Sequence, residues 1–194
     1  QTIEKLLAQN PDARAVLTQV CETSTAVLHP IKALADIVKK HPNTLFIVDA
    51  ITAIGVTELP MDDWGIDVIV AGSQKAFMLP TGLTLLSFSK KAWPFVEAAK
   101  CPRFYWDIRL EHATNLKGET HFSSAVSMIR GLRTALKMML NEGLEKQIEK
   151  VSTMSKAIRA GGENLGLTIF AKSPSPSVTA FSVPPQIDGQ KVRA

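Results

Sequence analysis

The sequence predicts an α/β protein, a sheet with helices on both faces, and three observations carry that prediction. Short apolar runs at 44–49 (TLFIVD), 67–71 (DVIVA) and 83–89 (LTLLSFS) are continuous rather than alternating, as in strands buried on both faces. Segments with helical spacing alternate with such runs. Polar residues gather at the ends of the runs, where open α/β sheets collect their ligands: Asp49 closes the first, and Gly72-Ser73-Gln74-Lys75 follows the second.

Taken in order, residues 1–9 have helical spacing at Ile3, Leu6 and Leu7, starting without a Met or a cap, as though partway through an element. Residues 13–20 (ARAVLTQV) read as a strand, and 21–25 as a polar loop. Pro30 suits the first turn of a helix over 31–40, because its fixed φ is helical and its missing N–H is not needed there. The strands at 44–49, 67–71 and 83–89 follow, separated by a Gly55-containing segment and the polar stretch 61–65. An irregular stretch is expected over 103–120. Val126, Ile129, Leu132, Leu136 and Leu140 share one helical face within 123–141. Gly143 breaks that helix, and a second over 144–158 is expected to end near Gly161-Gly162. Residues 167–171 and 177–183 read as strands around Ser173-Pro174-Ser175-Pro176.

Composition narrows the function classes. The 194 residues, 45% hydrophobic, suffice for a sizeable core in one or two domains. A net charge of +4 is spread among acidic residues such as Asp62, Asp63, Glu97 and Glu145 without a basic block, which argues against nucleic-acid binding. Cys21 and Cys101 are too few for a disulfide framework, and no apolar run of ~18 residues or charged-then-apolar leader suggests a membrane span or secretory signal. A cytoplasmic protein with reduced thiols is expected. His29, His41, His112 and His121 lack metal-ligand spacing, and no GxGxxG follows a strand, so neither a metal nor a dinucleotide is expected. Trp64 and Trp106 read as packing residues, and at least one of Met138 and Met139 as core.

A lysine and an aspartate offered from neighbouring strand ends are what a pyridoxal phosphate site requires. The amine can form a Schiff base with the cofactor aldehyde, and a buried carboxylate can keep the pyridine nitrogen protonated. Glu22-Thr23-Ser24-Thr25, Val48-Asp49-Ala50, Gly65-Ile66-Asp67 and Gly72-Ser73-Gln74-Lys75-Ala76 occur in the order and spacing of a known family. With Pro80-Thr81-Gly82 where Pro-Pro-Gly is usual, the chain resembles the class V pyridoxal-phosphate-dependent aminotransferases, in particular their alanine-glyoxylate / serine-pyruvate group.

The resemblance implies a type I PLP-transferase fold, with residues 1–122 the C-terminal part of the cofactor-binding large domain. Residues 123–194 would be connecting helices and an incomplete small domain. It makes Lys75 the Schiff-base lysine and proton mover, Asp49 the partner of the pyridinium nitrogen, and Ile51 the aliphatic side chain beneath the ring. Thr23 would bond the ring and Gln74 the phosphate; Thr120 and Ser123 would reach the phosphate of a neighbouring subunit in a homodimer with shared sites. Each polar residue has a plainer role open to it: a loop or N-cap carboxylate for Asp49, turn capping for Thr23 and Gln74, helix capping for Thr120 and Ser123. The implied reaction passes an amino group from alanine or serine to glyoxylate or pyruvate. The family's Gly-rich phosphate cup, its ring-stacking aromatic residue and its substrate-gripping arginine have no counterpart here, Arg193 not matching, so the chain reads as a fragment. A cysteine desulfurase, with Cys101 as its one downstream candidate nucleophile, and a non-catalytic assembly module of the same fold are the alternatives.

Overall fold

In the computed structural model, residues 2–193 are described, with side chains through residue 191. The elements run α1 (Ile3–Gln9), β1 (Ala15–Gln19), β2 (Cys21–Glu22), β3 (Val27–Leu28), α2 (Ile31–Val38), β4 (Leu45–Asp49), α3 (Met61–Trp64) and β5 (Val68–Gly72). There follow β6 (Thr84–Phe88), α4 (Ala92–Ala98), α5 (Ile108–Asn115), α6 (Val126–Glu142), α7 (Leu144–Asn164), β7 (Thr168–Ile169), β8 (Phe181–Ser182) and α8 (Gly189–Arg193).

The main sheet has the order β1-β4-β5-β6. β1 and β4 are parallel with Leu17 opposite Ile47 and Gln19 opposite Asp49, and β4 and β5 are parallel with Asp49 opposite Val70. β6 is antiparallel to β5, with Leu86 opposite Val70. Its direction follows from the connection, because residues 73–83 are too few for the crossover of a dozen or more that a parallel return needs. The sheet is therefore mainly parallel, as in the type I PLP-transferase fold expected from the resemblance, and its last strand turns back.

Side-chain alternation sorts the two faces. Phe46, Val48 and Ile69 point to one side, where Leu7 of α1 and Ile31, Ala35 and Val38 of α2 bury them. Leu45 and Val68 point to the other and pack on Ala92 and Phe95 of α4. Helices thus lie on both faces, but α4 covers only the part of its face near the amino ends of the parallel strands. The part near their carboxyl ends keeps Leu17 72% exposed and leaves Ile47 and Val70 half-buried, which is what makes room for a site.

Asp67 anchors the opposite end of the sheet. Its carboxylate, 3% exposed, accepts the Phe46 N–H (2.8 Å), the Ser89 hydroxyl (3.0 Å) and Lys91 Nζ (2.9 Å). Lys91 also donates to the Thr44 carbonyl at 2.7 Å, so one carboxylate and one ammonium join β4, β5 and the segment after β6.

Several expectations need correction. The loop over 21–25 contains β2, which pairs antiparallel with β3. The stretch over 103–120 contains α5, started by Asp107, whose carboxylate accepts the Arg109 N–H at 3.1 Å and pairs with the Arg109 and Arg103 guanidiniums. The helix after Gly143 does not stop at Gly161-Gly162 but continues to Asn164 and ends before Gly166, at φ 82°. Gly162 serves packing there: a Cβ would lie 2.3 Å from the Phe181 ring, so glycine lets β8 lie against α7. Trp64 does pack on the core, whereas Trp106 is 85% exposed beside Tyr105. Met139 is buried and Met138 exposed, in line with expectation.

The second half grips the first. Gln147 of α7 donates to the Gly55 carbonyl at 2.9 Å, and Gly55 sits so close to Met139 that a Cβ would be 2.7 Å from its methyl. The Ser-Pro segment does more than separate two strands. Leu28 N–H donates to Ser173 O and Ser175 N–H to Ala26 O, both at 2.8 Å, which straps the β2–β3 hairpin.

The Asp107 cluster sets a pH dependence. The hydrogen bond from the Arg109 side chain, aided by the guanidinium charges, holds the Asp107 carboxyl well below the ordinary carboxylate range. Such a group stabilises the folded state fully above its unfolded pKa of about 4 and progressively less as pH falls toward the lower folded value. The urea midpoint of Asp107→Asn should therefore fall below that of the unsubstituted protein at pH 7, with the gap narrowing by pH 2.

Candidate functional site

Asp49 ends β4 and Lys75 stands in the loop after β5, so neighbouring parallel strands bring them to one edge of the sheet. Asp49, Lys75, Thr23 and Ile51 line a single cavity of about 530 Å³, within the ~300–1,000 Å³ usual for small-molecule sites. Leu17, Ile47 and Val70 give it an apolar floor, and Gln19, Cys21 and Glu22 form part of its wall. The floor is the uncovered part of the sheet, which is why the cavity opens on that face.

Asp49 is exposed at the cavity rather than buried, because α4 does not extend over it. Its Oδ1 accepts the Ile51 N–H at 2.9 Å, the local turn bond that its plainer reading foresees. Among the described residues Oδ2 has no hydrogen-bond partner and faces no rival cation in an ion pair. Lys75 is also exposed, with no carboxylate paired to its amine among the described residues, so a ligand would not have to displace one. Thr23 is exposed at the turn between β2 and β3.

The other three predicted residues stand elsewhere. Gln74 is half-buried and absent from the cavity wall; its side chain folds over Gly72, where a Cβ would meet Oε1 at 2.6 Å. Thr120 and Ser123 are exposed and do not line this cavity. Neither fulfils the plainer role of capping the long helix, since the residue before α6 is Ala125, with no side-chain cap, and the Thr120 hydroxyl donates to the Phe122 carbonyl at 2.6 Å.

Glu22 is a wall residue to which the sequence reading gave no role. Its carboxylate accepts the Ser24 hydroxyl (2.7 Å), the Ser24 N–H (3.0 Å) and Gln19 Nε2 (2.8 Å). The Ser24 hydroxyl is the main reason that its carboxyl is held below the ordinary range. The turn carrying Thr23 is thus fixed from both sides by one anion. Glu22 lay within a motif quoted for the resemblance, but a rim carboxylate bonded to its own turn leaves no distinctive spacing.

A sequence model of the family described as "Aminotransferase class-V" matches residues 1–194. Among curated proteins, the chain is 37% identical to the "L-aspartate--glyoxylate aminotransferase" of Paracoccus denitrificans over 93% of its own length and 47% of that protein. It is equally 37% identical to the "Soluble hydrogenase 42 kDa subunit" of Anabaena cylindrica, over 98% of this chain and 50% of that one. The solved pyridoxamine-pyruvate aminotransferase of Mesorhizobium loti superposes with a TM-score of 0.91 at 31% identity, covering 98% of this chain and 50% of that structure. The chain therefore spans about half the length of the relatives it matches. The fold is that of type I PLP-dependent transferases, and the family implies pyridoxal phosphate. The donor set fits that group: an unpaired amine, a carboxylate with a free oxygen, a hydroxyl and an aliphatic floor meet in one cavity.

Proposed function

The chain belongs to the class V aminotransferases, and from that premise we propose that this cavity holds pyridoxal phosphate and serves the transfer of an amino group from alanine or serine to glyoxylate or pyruvate. The observation that carries the proposal is the convergence of Lys75, Asp49, Thr23 and Ile51 on one cavity. When bound, pyridoxal phosphate supplies an aldehyde that condenses with amines and a protonated ring that draws electrons from the substrate α-carbon.

The residues divide the remaining work. Lys75 Nζ, neutral when it acts, takes the proton from the substrate α-carbon and returns it on the other side of the transfer. A lysine suits this because its ammonium sheds a proton readily when desolvated, as a guanidinium does not. Asp49 Oδ2 supplies a fixed negative charge that holds a proton on the ring nitrogen, more effectively once a ligand excludes water from its exposed side. Ile51 and Val70 supply aliphatic surface that keeps water from the ring, and the Thr23 hydroxyl orients it.

Gln74 is the proposed phosphate contact, reached by turning its side chain away from Gly72. Thr120 and Ser123, exposed and outside the cavity, are proposed to complete the site of a second copy in a homodimer. The division into a large-domain part, 1–122, and a small-domain part, 123–194, belongs to the same proposal. So does a cytoplasmic setting, which agrees with the free thiols of Cys21 and Cys101. No helix among the described residues is long and apolar enough to cross a membrane.

The similarity to a hydrogenase subunit favours one second reading, a non-catalytic module that keeps the fold for assembly. Amino transfer separates the two. The full protein, loaded with pyridoxal phosphate and given ¹⁵N-alanine or ¹⁵N-serine with glyoxylate, should yield ¹⁵N-glycine. Label that stays wholly in alanine or serine, with no ¹⁵N-glycine formed although the Lys75 adduct is present, would favour the module.

A further inference from the structure

Lys75 belongs to no helix or strand, so the position of its amine depends on what holds the loop between β5 and β6. The root of that loop is Ser73, wholly buried. Its hydroxyl donates to the Pro80 carbonyl at 2.7 Å and accepts the Leu83 N–H at 3.2 Å. The main chain closes the same ring, with Ser73 N–H to Leu83 O and Leu79 N–H to Ser73 O, both at 3.1 Å. Among the described residues, neither the Pro80 carbonyl nor the Leu83 N–H has another partner.

Inside the ring the backbone is under strain. Met78 has φ 58°, left-handed for a side chain that gains nothing from it, since it is 66% exposed. Its N–H donates to the Lys75 carbonyl at 2.9 Å, which ties the strained residue directly to the lysine. Such a conformation persists only where surrounding contacts over-determine it. Phe77, within the loop, is buried, and Ser73 bonds the returning segment at both residues 80 and 83.

We propose that Ser73 is a positioning residue for Lys75, its bridging hydroxyl holding the loop in the one conformation that directs the amine into the cavity. The proposal rests on the pyridoxal phosphate reading of that cavity. Loss of the hydroxyl leaves the Pro80 carbonyl and the Leu83 N–H without partners, and the loop relaxes toward conformations in which Met78 is unstrained. Displacement of the amine by about 1 Å is enough to slow a positioned reaction by up to ~100-fold.

The test uses the full protein stripped of cofactor, then mixed with pyridoxal phosphate at temperatures well below each variant's melting point. Two quantities are read: the rate at which a borohydride-trappable adduct forms on Lys75, and the pH midpoint of its visible absorption change. Ser73→Ala should form the adduct at least about tenfold more slowly and shift the midpoint, and Ser73→Thr, which keeps the hydroxyl, should restore both in part. If Ser73→Ala melts earlier yet keeps the rate within twofold and the midpoint unchanged, Ser73 is merely structural and the proposal is overturned. Should Ser73→Ala not fold, Ser73→Cys, of similar volume and weaker hydrogen bonding, is read by the same criteria. Absence of an adduct in the unsubstituted protein would instead refute the cofactor reading on which the proposal rests.

Discussion

Lys75→Ala is expected to abolish the Lys75 adduct with pyridoxal phosphate and to lower amino transfer by about 100- to 10,000-fold, the usual worth of a positioned proton mover. The size of the effect follows from the cavity wall, on which Lys75 is the only lysine among the described residues. Among the described residues no second amine stands there to take over proton transfer at the same point. Lys75→Arg should fail as badly, because a guanidinium keeps its charge and does not deprotonate at the pH of the reaction. The loss should appear in kcat more than in KM, and the fold should be intact, since Lys75 is exposed and pairs with no carboxylate among the described residues. A Lys75→Ala protein that retained transfer within tenfold would place the chemistry on another residue.

The second large effect concerns stability. Asp67→Ala should cost about 3 kcal/mol, the low end of the range for breaking a buried charge pair. The low end applies because the Lys91 side chain is 36% exposed and water can solvate part of its charge once the partner is gone. What water reaches less easily is the Phe46 N–H, a wholly buried residue's amide that donates to the Asp67 carboxylate. Asp67→Asn, which keeps an oxygen for that N–H and loses only the charge, should cost less than half as much. Urea unfolding at pH 7 measures both. Equal midpoints for the two variants would mean that charge, rather than the buried acceptor, holds the end of the sheet.

Much of this architecture was legible because burial on two faces writes a strong signal. Continuous apolar runs marked β4 and β5, Pro30 marked the start of α2, and Gly143 marked the break before α7. The cavity was legible from the same source: Asp49 and Lys75 were singled out for standing at strand ends, and parallel pairing brings them to one edge. What was missed depends on partners distant in sequence. An apolar run records burial but not strand direction, so β6 was found without its antiparallel sense; loop length held that information.

Gly162 was read as a stop because a glycine near a helix end usually is one, whereas here it admits the ring of Phe181, nineteen positions on. Trp106 was assigned to packing on its size alone, and it stands exposed. Asp49 was expected to be buried, and how much of it is covered depends on what lies over the sheet face that α4 leaves open. Ser73 stands in a motif that by itself gives it no role, since nothing local announces that a serine will bridge positions 80 and 83.

The central claim is that Lys75 and Asp49 make a pyridoxal phosphate site, and the most direct measurement is to incubate the full protein with the cofactor, reduce with borohydride and map the modified peptides by mass spectrometry. The account predicts one dominant modification on Lys75, formed at cofactor concentrations that leave exposed lysines such as Lys32 and Lys150 almost unmodified. No adduct, or one spread evenly over the surface lysines, would contradict it.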